Sequence, residues 1–145
     1  MTGFEPAFWD ASGIVPLCVH QPDSARGRGY LRRYSPQVIW WGTPVEVASA
    51  LCRLTRAGAL SLKDQHNAGR RLDLLIKSSY EVLPQEPLRE QAFLLLRRHI
   101  LRAADSLQLA AALTWCRGRP RGRPFICFDK ILAEAARQEG FEVLG

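Results

Sequence analysis

The chain has 145 residues, 47% of them hydrophobic, enough to bury the core of one ordinary domain spanning residues 1–145. No apolar run approaches the roughly 20 residues needed to span a bilayer, so a helical membrane protein is excluded. Lys and Arg number 20 against 14 Asp and Glu, for a net charge of +6 carried mostly by Arg, which suits an anionic partner such as nucleic acid without requiring one.

Elements follow from the pattern of apolar residues. Ala7-Phe8-Trp9 reads as a strand ending on Asp10. Ser12 to Val19 reads as a short helix and Asp23 to Tyr34 as a second, arginine-rich one. Val38-Ile39-Trp40-Trp41 is a β-branched and aromatic run closed by Gly42, hence a buried strand with both Trp side chains in the core. Thr43-Pro44 reads as an N-cap followed by a proline at the first helical position. Val47, Ala50, Leu51 and Leu54 then form a core-facing helical stripe. Ser61 is expected to cap the next helix, in which Leu72, Leu75 and Ile76 face inward. Tyr80 to Leu83 is a short strand stopped by Pro84. Helices are expected over Leu88 to Leu96 and Ala103 to Trp115, then a strand over Phe125 to Phe128 ending on Asp129. A last helix stops at Gly140 and leads into a closing strand, Phe141 to Leu144. Strands separated by helices imply parallel βαβ units, and so a three-layer α/β/α sandwich around a mainly parallel sheet. Arg117-Gly-Arg-Pro-Arg-Gly-Arg-Pro124 is punctuated by Gly and Pro and is expected to be an exposed loop.

Cys18, Cys52, Cys116 and Cys127 are widely spaced, with no Cys-x-x-Cys pair. That pattern suits buried reduced thiols rather than zinc ligands or a disulfide framework. The opening Met-Thr-Gly-Phe-Glu-Pro lacks the basic start and apolar stretch of a secretory signal. A soluble, cytoplasmic protein is the expectation.

Four acids sit where solubility does not call for them. Asp10 and Asp129 each follow an apolar strand, and in parallel sheets the carboxyl ends of strands face the ligand crevice. Asp is also a common N-cap, so position alone supports capping equally well. Asp105 lies in the almost wholly apolar segment Ala103-Ala-Asp-Ser-Leu-Gln-Leu-Ala-Ala-Ala-Leu113, where an unpaired carboxylate is costly. Glu46 lies similarly in Pro44-Val-Glu-Val-Ala-Ser-Ala-Leu51. For both, the plain alternative is an acid in the first helical turn, favoured by the helix dipole. Carboxylates gathered in one cleft repel each other unless a cation lies between them, and hard oxygen donors select magnesium or manganese over zinc.

Those segments resemble the motifs of the PIN-domain ribonucleases, in particular the VapC-type toxins of toxin–antitoxin pairs, over nearly the whole chain from Phe8 to Leu144. Phe8-Trp-Asp-Ala-Ser-Gly-Ile-Val15 is similar to the opening motif, which delivers the first acid and a nearby hydroxyl, here Asp10 and Ser12. Thr43 to Leu51 resembles the helix carrying the family's Glu, here Glu46. His99-Ile-Leu-Arg-Ala-Ala-Asp-Ser-Leu-Gln-Leu-Ala110 is the most specific match and carries Asp105. Phe125 to Ala136 resembles the last motif, with Asp129. Many relatives have Thr or Ser where this chain has Cys127, and a thiol is a poor partner for magnesium or its waters.

The resemblance implies an Mg2+- or Mn2+-dependent endoribonuclease with Asp10, Glu46, Asp105, Asp129 and Ser12 in its site. It also implies an RNA substrate, an antitoxin partner and a homodimer. Arg26, Arg28, Arg32 and Arg33, with the loop of residues 117–123, are candidates for phosphate contacts beside the acidic pocket, or simply solvated cations. His99 suits a structural hydrogen bond better than a catalytic base. A PIN-like module that binds RNA or protein without cutting is the alternative reading, and four converging acids argue against it. A phosphoacceptor signalling domain fits less well, because the helices carrying Glu46 and Asp105 do not suit that design.

Overall fold

In a computed structural model describing residues 4–145, strands and helices alternate in the order β1 (Ala7–Trp9), α1 (Ala11–Cys18), α2 (Ser24–Arg33), β2 (Gln37–Trp40), α3 (Thr43–Arg56), α4 (Leu62–Lys77), β3 (Tyr80–Val82), α5 (Glu86–Arg98), α6 (Ala103–Trp115), β4 (Pro124–Ile126), α7 (Lys130–Glu139) and β5 (Glu142–Leu144). The five strands form one sheet in the order β3-β2-β1-β4-β5, every pair parallel. Ala7 pairs with Gln37 on one side of β1, and Phe8 with Phe125 on the other.

Both faces of the sheet are covered, which is why its strands carry no polar alternation. Phe8, Val38, Trp40 and Phe125 face α5, α6 and α7, in a core that includes Leu88, Leu95, Leu109 and Leu132. Ala7, Trp9, Ile39 and Ile126 face the opposite layer, where Ile14, Val15, Val47, Leu51 and Leu72 come from α1, α3 and α4. The result is the three-layer α/β/α sandwich, with an all-parallel sheet. Phe8 and Phe125 stack across β1 and β4 at 5.3 Å between ring centres. Gly13 lets α1 lie close to the sheet, since a Cβ there would stand 3.2 Å from Ile126 and from the Trp9 ring.

Local signals set most boundaries. Ser61 caps α4 by accepting from the Asp64 N–H at 3.0 Å, and Gly140, at φ 112°, closes α7 in the left-handed conformation. Three expectations need correction. Thr43 is not an N-cap: it lies inside α3, which starts after Gly42, and its side chain is buried against α6. Trp41 is not a core residue, because β2 ends at Trp40 and leaves Trp41 55% exposed. The strand expected through Phe128 stops at Ile126, where the chain turns away toward α7. Among the described residues all four cysteines are free; Cys18, Cys116 and Cys127 are buried, and burial pushes the Cys18 thiol up to about 11. No described helix is long and apolar enough to cross a membrane.

Leu109 is fully buried where α6 packs on the sheet. Leu109→Ala is expected to lower unfolding free energy by about 2–5 kcal/mol, measured by urea denaturation.

Candidate active site

The strand order reverses beside β1, between neighbours β2 and β4, and such switch points open a crevice at the carboxyl end of the sheet. Asp10 stands directly after β1 and Asp129 shortly after β4. The first turn of α3 brings in Glu46, and the first turn of α6 brings in Asp105. All four acids and Ser12 line one cleft of about 720 Å³, together with Arg53 and Arg102.

Each acid is held differently. Asp10 is 4% exposed, and its Oδ2 accepts from the Ser12 N–H at 3.1 Å and the Ser12 hydroxyl at 2.5 Å. Ser12 in turn accepts from the Phe128 N–H at 2.9 Å, so one hydroxyl ties the end of β1 to the segment after β4. Asp129 caps α7, its Oδ1 accepting from the Ile131 and Leu132 N–H groups at 2.9 and 3.1 Å. Capping and lining the cleft are therefore compatible for both Asp10 and Asp129. Glu46 Oε2 accepts from the Gln108 side-chain amide at 2.6 Å, and that amide nitrogen also lies 3.0 Å from the Thr43 hydroxyl. This buried network fastens α3 to α6 and explains why Thr43 is not free to cap.

Electrostatics separate Asp10, Glu46 and Asp105 from surface carboxylates. Burial pushes the Asp10 carboxyl up, against the pull of its Ser12 and Ala11 hydrogen bonds, and Asp105 repels it further. Burial likewise pushes Glu46 up to about 7; its bond from Gln108 opposes this, while the charges of Asp10 and Asp105 add to it. Asp105 is raised by burial and by Asp129, against the neighbouring Arg102. None of the four acids forms an ion pair among the described residues.

Cys127 Sγ lies 3.6 Å from Asp10 Oδ2 and 3.7 Å from the Ser12 hydroxyl. Burial is the main reason its thiol titrates far above the ordinary range. It therefore packs behind Asp10 as a neutral group.

Gln108 and Arg53 are absent from the sequence reading. Gln108 was detectable: like Asp105, it is a polar residue inside an apolar helix, and it is fully buried. Arg53 carries no such signal. His99 is structural, with Nε2 2.6 Å from Glu139 Oε2 between the end of α5 and α7. The loop of residues 117–123 follows the last turn of α6, whereas Asp105 lies in its first, and the loop is not among the residues lining the acidic cleft.

Among the described residues, no three His, Cys, Asp or Glu side chains close into a ready-made metal cage. The donor set still suits a magnesium-type ion, which keeps several waters and is commonly held by only one or two carboxylates plus substrate phosphate. Raised, unpaired carboxyls facing one another are the arrangement such a cation relieves.

No protein-family model matches this sequence, and no curated protein matches it. Solved structures do. PAE2754 from Pyrobaculum aerophilum superposes with a TM-score of 0.66 at 19% identity, covering 96% of this chain and 89% of that one. A toxin–antitoxin complex from Klebsiella pneumoniae gives 0.65 at 15% identity, and FitAcB from Neisseria gonorrhoeae 0.64 at 16%, each covering 96% of both chains. Identities this low speak for the fold alone, and that fold is the PIN-like α/β/α sandwich implied by the motif resemblance.

The raised Glu46 carboxyl has a consequence for stability. An acid raised on folding contributes stability while protonated; that contribution is full below its ordinary value of 4.5 and is lost as pH rises through about 7. Glu46→Gln keeps an acceptor for Gln108 and removes the charge. In metal-free protein at about pH 8 it is expected to raise the melting temperature by about 2–5 °C, with the gain vanishing near pH 5, as measured by calorimetry.

Proposed function

We propose that this protein is a metal-dependent endoribonuclease, and that it acts in the cytoplasm as the toxin of a toxin–antitoxin pair. The observation that carries the chemistry is the convergence of Asp10, Glu46, Asp105 and Asp129 in one cleft at the sheet's switch point, without ion-pair partners. Asp10, Glu46 and Asp105 would hold Mg2+ or Mn2+, with Asp129 supporting a second ion or an outer shell of water. A divalent ion bound there supplies activation of water and neutralisation of charge on the phosphodiester.

The chain's own groups prepare that site. Ser12 fixes the Asp10 carboxylate by donating to Oδ2 while itself held by the Phe128 N–H. Gln108 fixes Glu46 in the same way, so two acids on different elements keep set orientations. Arg53 and Arg102 line the cleft wall, where cations offset the repulsion between an acidic pocket and a polyanionic strand.

Toxin biology is supported by the fold shared with a toxin–antitoxin complex and with FitAcB, and an antitoxin is the partner this implies. A homodimer follows from the same family resemblance. Four free cysteines suit a reducing compartment. The alternative is a PIN-like module that binds RNA or protein without cutting.

Cleavage of a panel of structured RNAs by purified, partner-free protein decides between them. Cutting with Mg2+ or Mn2+ is expected, to be abolished by EDTA, and to fall by a factor of roughly 100 or more in Asp105→Asn. A folded, metal-supplied wild type that cuts nothing, or an Asp105→Asn variant that cuts as well as wild type, overturns the nuclease reading.

A further inference from the structure

A second cleft, of about 680 Å³, runs along the β3 edge of the sheet, from Pro6 and Pro36 before β1 and β2 to Leu83 and Gln85 after β3. Its walls include Tyr80 from β3 and Thr114, Trp115 and Arg117 from the end of α6. Since Asp105 sits in the first turn of α6 and Trp115 in its last, about 15 Å of helix separates Asp105 from the Trp115 end of this cleft.

The loop of residues 117–123 borders this cleft and is well tied down. Gly118 N–H donates to the Leu113 carbonyl at 2.9 Å, Arg119 N–H to Cys116 at 3.1 Å, Arg123 N–H to Pro120 at 2.9 Å, and Glu142 N–H to Arg123 at 3.0 Å. Arg117, Arg119, Arg121 and Arg123 are all exposed, and none takes part in an ion pair among the described residues. The guanidinium of Arg123 lies over the Trp115 ring, 5.1 Å from its centre. Tyr80 is 64% exposed. Among the described residues, Glu81 is the one acid on the cleft wall.

Arg117 itself adopts φ 53°, a left-handed conformation that favours glycine. A bulky cation kept at a position where the backbone prefers glycine points to use of its side chain.

We propose that the amino end of this cleft is a second RNA-binding site, in which the exposed Tyr80 stacks an unpaired base and the arginine loop holds backbone phosphates. Resting on the nuclease reading, it anchors a single strand whose scissile bond lies in the acidic cleft. Aromatic walls beside a row of guanidinium groups match single-stranded nucleic acid, since every base has a stackable face and every linkage an anion. An acidic peptide would engage the same cations, but only a nucleic-acid strand carries a stackable ring beside every anion.

The test is anisotropy with a labelled single strand of about 20 nucleotides across a salt series, in EDTA so that cutting plays no part. Arg119→Ser/Arg121→Ser is expected to weaken binding about 10-fold and to flatten the log–log salt slope by about 1.4, the share of two phosphates on a single strand. Tyr80→Ala is expected to weaken single-strand binding about 5-fold or more while sparing duplex RNA. Arg117→Gly is expected to keep or raise the melting temperature while weakening binding, a pairing that a purely structural role would not produce. Unchanged affinity and slope in both arginine variants overturns the proposal. So does loss of binding to a polyglutamate probe with RNA binding intact, which marks an acidic-protein surface instead.

Cleavage separates the two readings. Loop-dependent binding by a wild type that never cuts leaves this site standing and the nuclease reading overturned. A wild type that cuts, with loop variants that bind and cut long strands equally well, does the reverse. Where both hold, the loop variants cut the long strand with raised KM. Their cutting of oligomers of about four nucleotides, shorter than α6 at the ~3.4 Å spacing of stacked nucleotides, stays unchanged.

Discussion

Burial of carboxyls that the fold forces to share one cleft, to which their mutual repulsion adds, is the constraint on which the rest of the site depends. Asp10 is nearly inaccessible, Glu46 and Asp105 are partly buried, and each raises the other or is raised by a further acid. Left to themselves, such groups would turn toward water. Rigid anchors prevent this: Ser12 on Asp10, Gln108 on Glu46, and the α7 cap on Asp129. Two of these anchors join elements far apart in sequence, so the site is pre-arranged by tertiary packing rather than by any single segment. Stability spent on unfavourable charge is a common signature of a site kept for chemistry.

The same sheet organises the whole molecule around two poles. Parallel strands buried on both faces leave only their ends for ligands, and helices returning antiparallel to them deliver side chains to either end. α6 embodies this, with an acid in its first turn and an arginine-rich loop after its last. The acids and the arginine loop are thereby kept about 15 Å apart along α6, while Arg53 and Arg102 are the cations that line the acidic cleft itself.

Most of the architecture was readable from periodicity, because sheets buried on both faces give continuous apolar runs and amphipathic helices give spaced ones. The helix from Ala103 to Trp115 and the Ser61 and Gly140 caps match the expectation. Failures have specific causes. Trp41 continues an apolar run, but β2 ends one residue earlier and leaves it half exposed. Thr43 has the sequence of a cap, but Gln108, 65 residues later, takes its hydroxyl. Each acid could be nominated from its apolar surroundings. That they share a cleft, and that Gln108 orients Glu46, depends on how α3 and α6 pack, which local pattern does not encode. The loop of residues 117–123 was legible as basic and exposed, whereas its pole was not.

The central claim is that these carboxyls are arranged for a divalent cation. Its most direct measurement is thermal unfolding of the wild type and Asp10→Asn near neutral pH, with Mn2+ or Mg2+ against EDTA. Binding to the folded state alone raises the melting temperature with ion concentration. The account predicts that rise for the wild type and its loss in Asp10→Asn. A wild type whose melting temperature ignores both ions, or an equal rise in the variant, would contradict it.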